Sequence, residues 1–197
     1  EIADLLSCVA LSYLPAGNPR AAREAYEEAL RIYEELGHTE GILATLINPG
    51  TWIYWLRGDF SNGIASLNRA LVLAEELDSK HRLAECWGGL AVTLPYVNRS
   101  YEAREYAQKA IELSREIGAI QLEAHNLTFL ALGYVSGPSP DFRAARQYAQ
   151  ESTLLAEKEG NERIRISAMT VEVMALRRLG DLLEAARVGE RLLDIAE

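Results

Sequence analysis

The chain has few of the residues from which most metal and catalytic sites are built. It contains three histidines and two cysteines among 197 residues. Metal sites need several ligands that converge at about 2.0–2.3 Å, yet neither a cysteine nor a second histidine stands four residues after His38, His81 or His125. Glycine-rich phosphate loops and the Gly-x-Ser-x-Gly nucleophile motif do not occur in the sequence either. We therefore predict no catalytic residue, no metal and no cofactor.

Basic residues and long apolar runs are also scarce. Twenty Lys and Arg face 29 Asp and Glu, so the formal net charge is −9. Such a charge opposes binding to phosphate backbones and to anionic membrane surfaces. Neither an apolar run of roughly 18 residues, the length that spans a bilayer, nor a signal peptide is visible. We expect a cytoplasmic chain that binds neither nucleic acid nor membrane. Because it starts and ends in predicted helix, we also expect a fragment of a longer protein.

What the chain does contain is a repeat. Five turns, each followed by a predicted helix, begin at Gly17, Gly58, Asn98, Pro140 and Gly180. Their nearly constant spacing lies between about 20 and 50 residues, which is typical of a solenoid built from one supersecondary unit. We predict a single array over 1–197, with repeats at about 1–37, 38–78, 79–118, 119–160 and 161–197. Cys8 and Cys86 then fall in different repeats, too far apart for a disulfide.

Each repeat is predicted to hold two helices joined by a tight turn. Apolar residues follow helical spacing, and no segment alternates like a strand. The ten predicted helices span roughly 2–14, 19–36, 39–56, 60–77, 80–97, 100–117, 120–136, 141–159, 162–179 and 181–196. Glycines stand where helices must end, and Asp59, Asp141 and Asp181 stand where N-caps are expected. Pro49 is expected to kink or break the third helix.

The residue pattern resembles the tetratricopeptide repeat. The first helices contain Trp87-x2-Leu90-Ala91 and Phe129-x2-Leu132-Gly133, and Leu6-x2-Val9-Ala10-x2-Tyr13 fits as well. The second helices carry small residues seven apart, at Ala22/Ala29, Gly63/Ala70, Ala103/Ala110 and Ala145/Ser152. The period is longer than in the common form of the motif, and it is similar to the long variant in large bacterial signalling proteins and in kinesin light chain. The resemblance implies an all-α, right-handed α-α superhelix of about five helix pairs. HEAT or armadillo arrays are the alternative fold.

The resemblance also implies where a partner binds. In this family the first helix of each repeat lines a concave groove, and helical spacing then selects one face of each such helix. The predicted partner-binding residues are Asn48, Trp52, Trp55, Val92, Tyr96, Leu130, Tyr134, Met174 and Arg177. Aromatic and arginine side chains are frequent anchors of protein interfaces. The alternative is that these aromatic residues are packed between helices.

These features together favour a protein-interaction module rather than an enzyme. The expected partner is a peptide or a protein, and the expected setting is a regulatory part of a larger bacterial signalling or transcription-regulatory protein. Two alternatives remain open at this stage. One is a self-associating or spacer module, with a homodimer through the terminal helices, because the last helix is rich in apolar residues. The other is a non-catalytic segment of a multidomain enzyme, such as a nucleotide cyclase or an ATPase.

Overall fold

The computed structural model describes residues 2–13, 18–136 and 139–196, with side chains for all of them except 11, 19, 49–53, 55, 56 and 196. These ranges contain ten α-helices and a short 3-10 helix, Leu94–Val97, and no strand. The all-α prediction is confirmed. The helices are α1 (Ile2–Tyr13), α2 (Pro19–Glu35), α3 (Thr39–Leu56), α4 (Phe60–Glu76), α5 (Lys80–Thr93), α6 (Ser100–Glu116), α7 (Ile120–Ser136), α8 (Phe142–Lys158), α9 (Glu162–Leu179) and α10 (Leu182–Ala196).

The helices form two layers. Each odd-numbered helix packs against the even-numbered helix that follows it, and each even-numbered helix packs against the next odd-numbered one. In addition, α5 packs directly against α3 and α7, and α7 packs against α9. Among the described residues, no two even-numbered helices pack together to a comparable extent. The odd-numbered helices therefore form the inner, concave layer of the array and the even-numbered helices form the outer layer.

Small residues set the distance between the layers. Ala22, Ala29, Ala103, Ala110 and Ala145 on the even-numbered helices are almost completely buried. A small side chain lets two helices approach closely, and a larger side chain from the partner helix fills the remaining space. The largest fully buried side chains on the odd-numbered helices fill this role, among them Leu43, Leu90, Leu127 and Leu176.

The helix ends follow the local sequence in most repeats. Gly37, Gly118 and Gly160 follow helices α2, α6 and α8 with φ of 63°, 68° and 65°, the left-handed conformation that favours glycine. Asp78 takes the corresponding place after α4 with φ of 47°. The Asp141 carboxylate caps α8 by accepting from the backbone N–H groups of residues 143 and 144.

Two local expectations were met only in part. Asp59 stands at the N-cap position of α4, as expected, but its carboxylate caps no backbone N–H group. It accepts a hydrogen bond from the Asn62 side chain instead. The third helix spans Thr39–Leu56, the predicted range, so Pro49 does not break it. None of the described helices combines the length and the apolar character that crossing a membrane would require.

Candidate functional site

The inner layer carries an apolar groove between α7 and α9, with one wall from α5. Its volume is about 310 Å³. We call it the inner groove, and all of its lining residues come from odd-numbered helices: Val92, His125, Thr128, Phe129, Leu132, Arg163, Ile164, Ile166, Ser167, Thr170, Val171 and Met174. A shallow extension shares Val92, Phe129 and Leu132 and continues along Pro95, Tyr96, Gly133 and Ser136. Both depressions thus lie on the concave side of the last three repeats.

Helical periodicity explains why these side chains share one surface. On α9, Ile166, Thr170 and Met174 stand four residues apart, which places them on one face of the helix. On α7, Phe129 and Leu132 stand at the complementary three-residue spacing. Two parallel apolar stripes on neighbouring helices leave a furrow between them, and this furrow is the inner groove.

The floor of the inner groove is uncharged at neutral pH. The His125 ring lies 4.3 Å from the Phe129 ring, measured between centroids. Burial, with a smaller contribution from the nearby positive charge of Arg163, lowers the pKa of His125 to about 4. The hydroxyls of Ser167 and Thr170 donate to carbonyls of their own helix, at 3.0 and 2.8 Å. The groove therefore offers mainly apolar contact, with the Arg163 guanidinium as the only cationic group in its described lining.

Val92, Tyr96 and Met174 line the inner groove and its extension. Met174 is 38% exposed, whereas Val92 is only 7% exposed and forms part of the wall. The Tyr96 ring is 44% exposed and stacks on the Phe60 ring with centroids 4.6 Å apart. The structure thus brings these three predicted residues together on the concave side, and their role in binding stays a prediction.

Leu130 and Tyr134 lie elsewhere, and their assignment to the groove needs correction. Leu130 is 3% exposed and packs in a cluster that includes Ile111 of α6. The Tyr134 ring stacks on Tyr148 of α8 and lies under the Arg104 guanidinium at 4.3 Å. Both side chains therefore face the outer layer, on the opposite side of α7 from the groove.

The physical reason for this correction is the helical register of α7. The sequence motif aligns Phe129-x2-Leu132 of α7 with Trp87-x2-Leu90 of α5. This alignment is two residues out of register. The fully buried Ala124 and the buried Ala131 instead correspond to Ala84 and Ala91, one repeat earlier in the chain. In that register Leu132 takes the position of Val92 and faces the groove. The alanines, seven residues apart in both helices, were the sequence signal that would have found Phe129 and Leu132.

Of the other predicted groove residues, two lie away from the inner groove and two have side chains outside the described part of the structure. Asn48 lines a separate cavity of about 230 Å³ between α1, α2 and α3. That cavity also contains Ser7, Thr45 and Asp4, whose carboxylate accepts a 2.5 Å hydrogen bond from the Tyr33 hydroxyl. Arg177 is exposed in the last turn of α9, beyond Met174. The side chains of Trp52 and Trp55 lie outside the described residues.

The residues that line the groove suit the binding of a ligand rather than catalysis. Within the described part of the chain, no group of three or more His, Cys, Asp or Glu side chains converges as metal ligands would. Cys8 is exposed, Cys86 is buried, and neither forms a disulfide. The inner groove can therefore bury apolar side chains of a ligand, with Arg163 available at its edge for a negatively charged group.

Comparisons with known proteins identify the type of architecture. No protein-family model matches the chain, and no curated protein matches it in sequence. BtubC (BKLC) from P. vanneervenii superposes with a TM-score of 0.74 at 18% identity, covering 98% of this chain and 79% of that one. The nearly identical TPR-like repeats of a Podosopora anserina protein assigned to the kinesin light chains give 0.69 at 17% identity, covering 98% and 93%.

A third similar structure is part of a much larger protein. It is a Signal Transduction ATPase with Numerous Domains (STAND) from Pyrococcus horikoshii, which has a tetratricopeptide repeat sensor. The TM-score is 0.64 at 19% identity, and the match covers 89% of this chain but 27% of that one. At such identities the likeness concerns the fold. The chain is therefore an all-α superhelix of helix pairs with the tetratricopeptide-like repeat fold.

Proposed function

We propose that the chain is a protein-interaction module and that its inner groove receives apolar side chains of a partner peptide or protein. The observation that carries this proposal is the groove itself, a concave and mainly apolar surface built from three successive inner helices. Exposed apolar surface with a polar rim is typical of sites where proteins meet a partner. The tetratricopeptide-like fold supports the same function, because helical arrays present extended concave surfaces for binding.

The expected affinity follows from the apolar area. Burying one side chain of the size of Val, Leu or Phe contributes about 1.5–3 kcal/mol. Three such side chains would give a gross gain of roughly 5–9 kcal/mol, from which the cost of ordering the ligand must be subtracted. The groove is at the small end of ligand pockets, which span about 300–1,000 Å³. We therefore expect micromolar binding of a short segment.

The proposed setting is the cytoplasm, as a regulatory or sensor part of a larger bacterial signalling protein. The Pyrococcus horikoshii STAND protein supports the sensor part of this proposal, because its name assigns a sensor role to its repeats and the match covers 27% of its chain. The proposed module is non-catalytic. Binding in the inner groove would change the contacts among α5, α7 and α9, and so the curvature that attached domains experience.

A selection experiment tests the binding function directly. The purified chain is used to select peptides from a random display library, and the enriched peptides are synthesised and titrated by calorimetry. We expect micromolar binding to the wild-type chain and a loss of at least about tenfold for Met174→Glu. A charge placed in an apolar contact must be desolvated without a partner, which costs well over about 1 kcal/mol.

The matched control is Leu154→Glu. Leu154 is an exposed leucine on the outer helix α8, so this variant introduces the same charge far from the groove. It should bind the selected peptides as the wild type does. Equal binding to the wild type and to Met174→Glu, with both chains folded by circular dichroism, would refute the groove as the binding site.

A further inference from the structure

A cavity between the outer helices α2 and α4 has the inner helix α3 as its third wall. Its volume is about 290 Å³, and none of its lining residues belongs to the inner groove. Helix α2 contributes Arg23, Tyr26 and Glu27, which their three- and four-residue spacing places on one face of the helix. Helix α4 contributes Ser66 and Arg69 from the other side. We call this space the outer cavity.

Tyr26 departs from the repeat at a position that is otherwise apolar. It stands four residues after the small residue Ala22, and the same place in the next three outer helices holds Leu67, Ala107 and Ala149. All four side chains are buried, and Tyr26 is only 3% exposed. The first repeat therefore places a hydroxyl group where the next three repeats have only hydrocarbon.

The Tyr26 hydroxyl has no hydrogen-bond partner in the described part of the chain. By contrast Tyr33, the other buried tyrosine of α2, donates to the Asp4 carboxylate at 2.5 Å. Burial raises the pKa of Tyr26 to about 12, so its hydroxyl keeps the proton and can donate at neutral pH. Buried polar groups nearly always have a partner, because an unsatisfied group has lost its hydrogen bonds to water. The Tyr26 hydroxyl thus requires a partner that the described side chains do not supply.

Arg23 supplies a second unsatisfied donor to the outer cavity. Its Nε atom is buried and forms no hydrogen bond with the described residues. This atom lies 3.3 Å from Oε1 of Glu27, which makes an ion pair without the alignment of a hydrogen bond. A guanidinium nitrogen can only donate. The Arg23 and Tyr26 groups therefore both suit a ligand that offers acceptor oxygens.

The charges that line the outer cavity favour a ligand with a single negative charge. The guanidinium groups of Arg23 and Arg69 and the carboxylate of Glu27 belong to the lining, although the chain as a whole is acidic. One Nη atom of Arg69 pairs with Glu34 at 2.6 Å, which leaves its other N–H groups for a ligand. Glu27 would repel a dianion more strongly than a monoanion. A carboxylate carries one charge and accepts from two donors at once.

The rest of the lining suits an apolar body of small size. Leu30, Leu46 and Ala65 contribute hydrocarbon to the walls. The Ser66 hydroxyl already donates to the Leu46 carbonyl at 2.9 Å. The volume lies at the lower limit of ligand pockets, which span about 300–1,000 Å³. The outer cavity can therefore enclose a small molecule.

We propose that the outer cavity binds a small-molecule carboxylate with a short apolar body, whose oxygens accept from the Tyr26 hydroxyl and the Arg23 guanidinium. The apolar body packs on Leu30 and Leu46. Such a ligand contacts α2, α3 and α4 together, and so joins the first repeat to the second. This site is independent of the inner groove and of its proposed partner peptide.

Ligand-observed NMR with small carboxylates tests the site. The probes are hexanoate and benzoate, each compared with its neutral amide, and inorganic phosphate. We expect at least one of the two carboxylates to bind the wild-type chain with a Kd of roughly 1 mM or lower. The amides and phosphate should bind at least about tenfold more weakly. Failure of both carboxylates to bind would overturn the proposal, and so would phosphate binding as tight as theirs.

Tyr26→Phe and Arg23→Gln each remove one donor. Each should weaken carboxylate binding at least about tenfold, because a hydrogen bond to a charged group is lost. Tyr26→Phe should not lower the melting temperature of the unliganded chain, since its hydroxyl has no partner to lose. The matched controls are Tyr101→Phe and Arg20→Gln, which make the same changes at exposed positions of α6 and α2 and should bind as the wild type does. Undiminished binding to Tyr26→Phe would refute the proposed contact.

A further pair of variants distinguishes the outer cavity from its neighbour. Tyr26 and Thr45 also line the cavity between α1, α2 and α3. Arg69 lines only the outer cavity, and Asn48 lines only that neighbouring one. We expect Arg69→Gln to weaken carboxylate binding by about threefold or more and Asn48→Ala to leave it unchanged. The reverse pattern would place the carboxylate in the neighbouring cavity and overturn the assignment.

Discussion

The concave layer presents two different surfaces on one scaffold. Between α1 and α3 it carries a cavity whose lining includes the polar side chains of Asp4, Ser7, Thr45 and Asn48. Across α5, α7 and α9 it carries the apolar inner groove, with Val92, Leu132 and Met174 at the same position of three successive repeats. The buried alanines that set the helix spacing occur in both halves. The fold and the binding surface are therefore specified by separate sets of residues, as expected when function is built on a common fold.

A glutamate introduced into each half of the concave layer should affect peptide binding very differently. This difference is the largest effect that we predict. Thr170 and Asn48 are both exposed residues of the concave layer, one in the inner groove and one in the cavity between α1 and α3. Thr170→Glu should weaken a selected peptide at least about thirtyfold, or about 2 kcal/mol, because it adds a desolvated charge to an apolar contact. Asn48→Glu should change the affinity by less than about threefold. Calorimetric titration measures both, and equal losses would remove the distinction between the two halves.

The close approach of α5 and α7 should depend on a glycine. A Cβ at Gly88 would lie 2.2 Å from Oδ1 of the buried Asn126, whose amide donates to Ser114. We expect Gly88→Ala to lower the free energy of unfolding by about 1–3 kcal/mol, because Asn126 must move and a buried hydrogen bond is strained. Urea denaturation measures this loss.

Gly133→Ala is the matched control for that substitution. Gly133 is also buried on an inner helix, but nothing lies within 4 Å of its Cβ position. Replacing this glycine should stabilise the helix by up to about 1 kcal/mol. If both substitutions lower the free energy of unfolding equally, the close approach of Asn126 is not the reason that position 88 needs glycine.

Acid should weaken the second half of the array through His125. Its pKa is about 4 in the folded chain, against an ordinary value of 6.5. As the pH falls from 6.5 towards 4, the unfolded chain binds a proton that the folded chain does not, so the free energy of unfolding decreases. We expect this loss to reach about 2 kcal/mol at pH 5 and to be absent in His125→Gln. A pH profile that His125→Gln leaves unchanged would show that another group causes the loss of stability in acid.

The smallest effects should come from ion pairs on the outer layer. Arg69 pairs with Glu34 at 2.6 Å in the first half, and Arg115 pairs with Glu151 at 2.6 Å in the second. All four side chains are substantially exposed to solvent. We expect Arg69→Gln and Glu151→Gln each to cost less than about 1 kcal/mol by urea denaturation. A much larger cost at either site would mean that the outer layer, and not the alanine packing, distinguishes the halves.

The repeat and the helix positions could be predicted because they depend on local signals. Turn residues recur at a nearly constant period, and alanines seven residues apart mark the packing side of each helix. The rotation of α7 could not be predicted in the same way. This helix packs against α5, α6, α8 and α9 at once, so apolar residues surround it and no polar stripe marks its outer side. Leu130 and Leu132 are both apolar, and only the alanine register separates them.

The contacts between repeats were also beyond the reach of composition alone. Ile111 occurs in an ordinary amphipathic pattern, which indicates a buried side but does not say which helix covers it. The structure supplies the missing fact, because Ile111 packs in a cluster with Leu127 of the next pair of helices. Sequence periodicity thus locates the repeat, whereas the contacts between repeats require coordinates.

The most direct test of the inner groove uses the two methionines of the chain. Met174 lines the groove and is 38% exposed, whereas Met169 on the same helix is fully buried and packs against α10. Isotope labelling of the methionine methyl groups gives a spectrum with two signals, assigned by substitution of Met174. On titration with a selected peptide, we predict that the Met174 signal shifts and that the Met169 signal stays nearly unchanged. Saturable binding that leaves the Met174 signal in place would contradict the account.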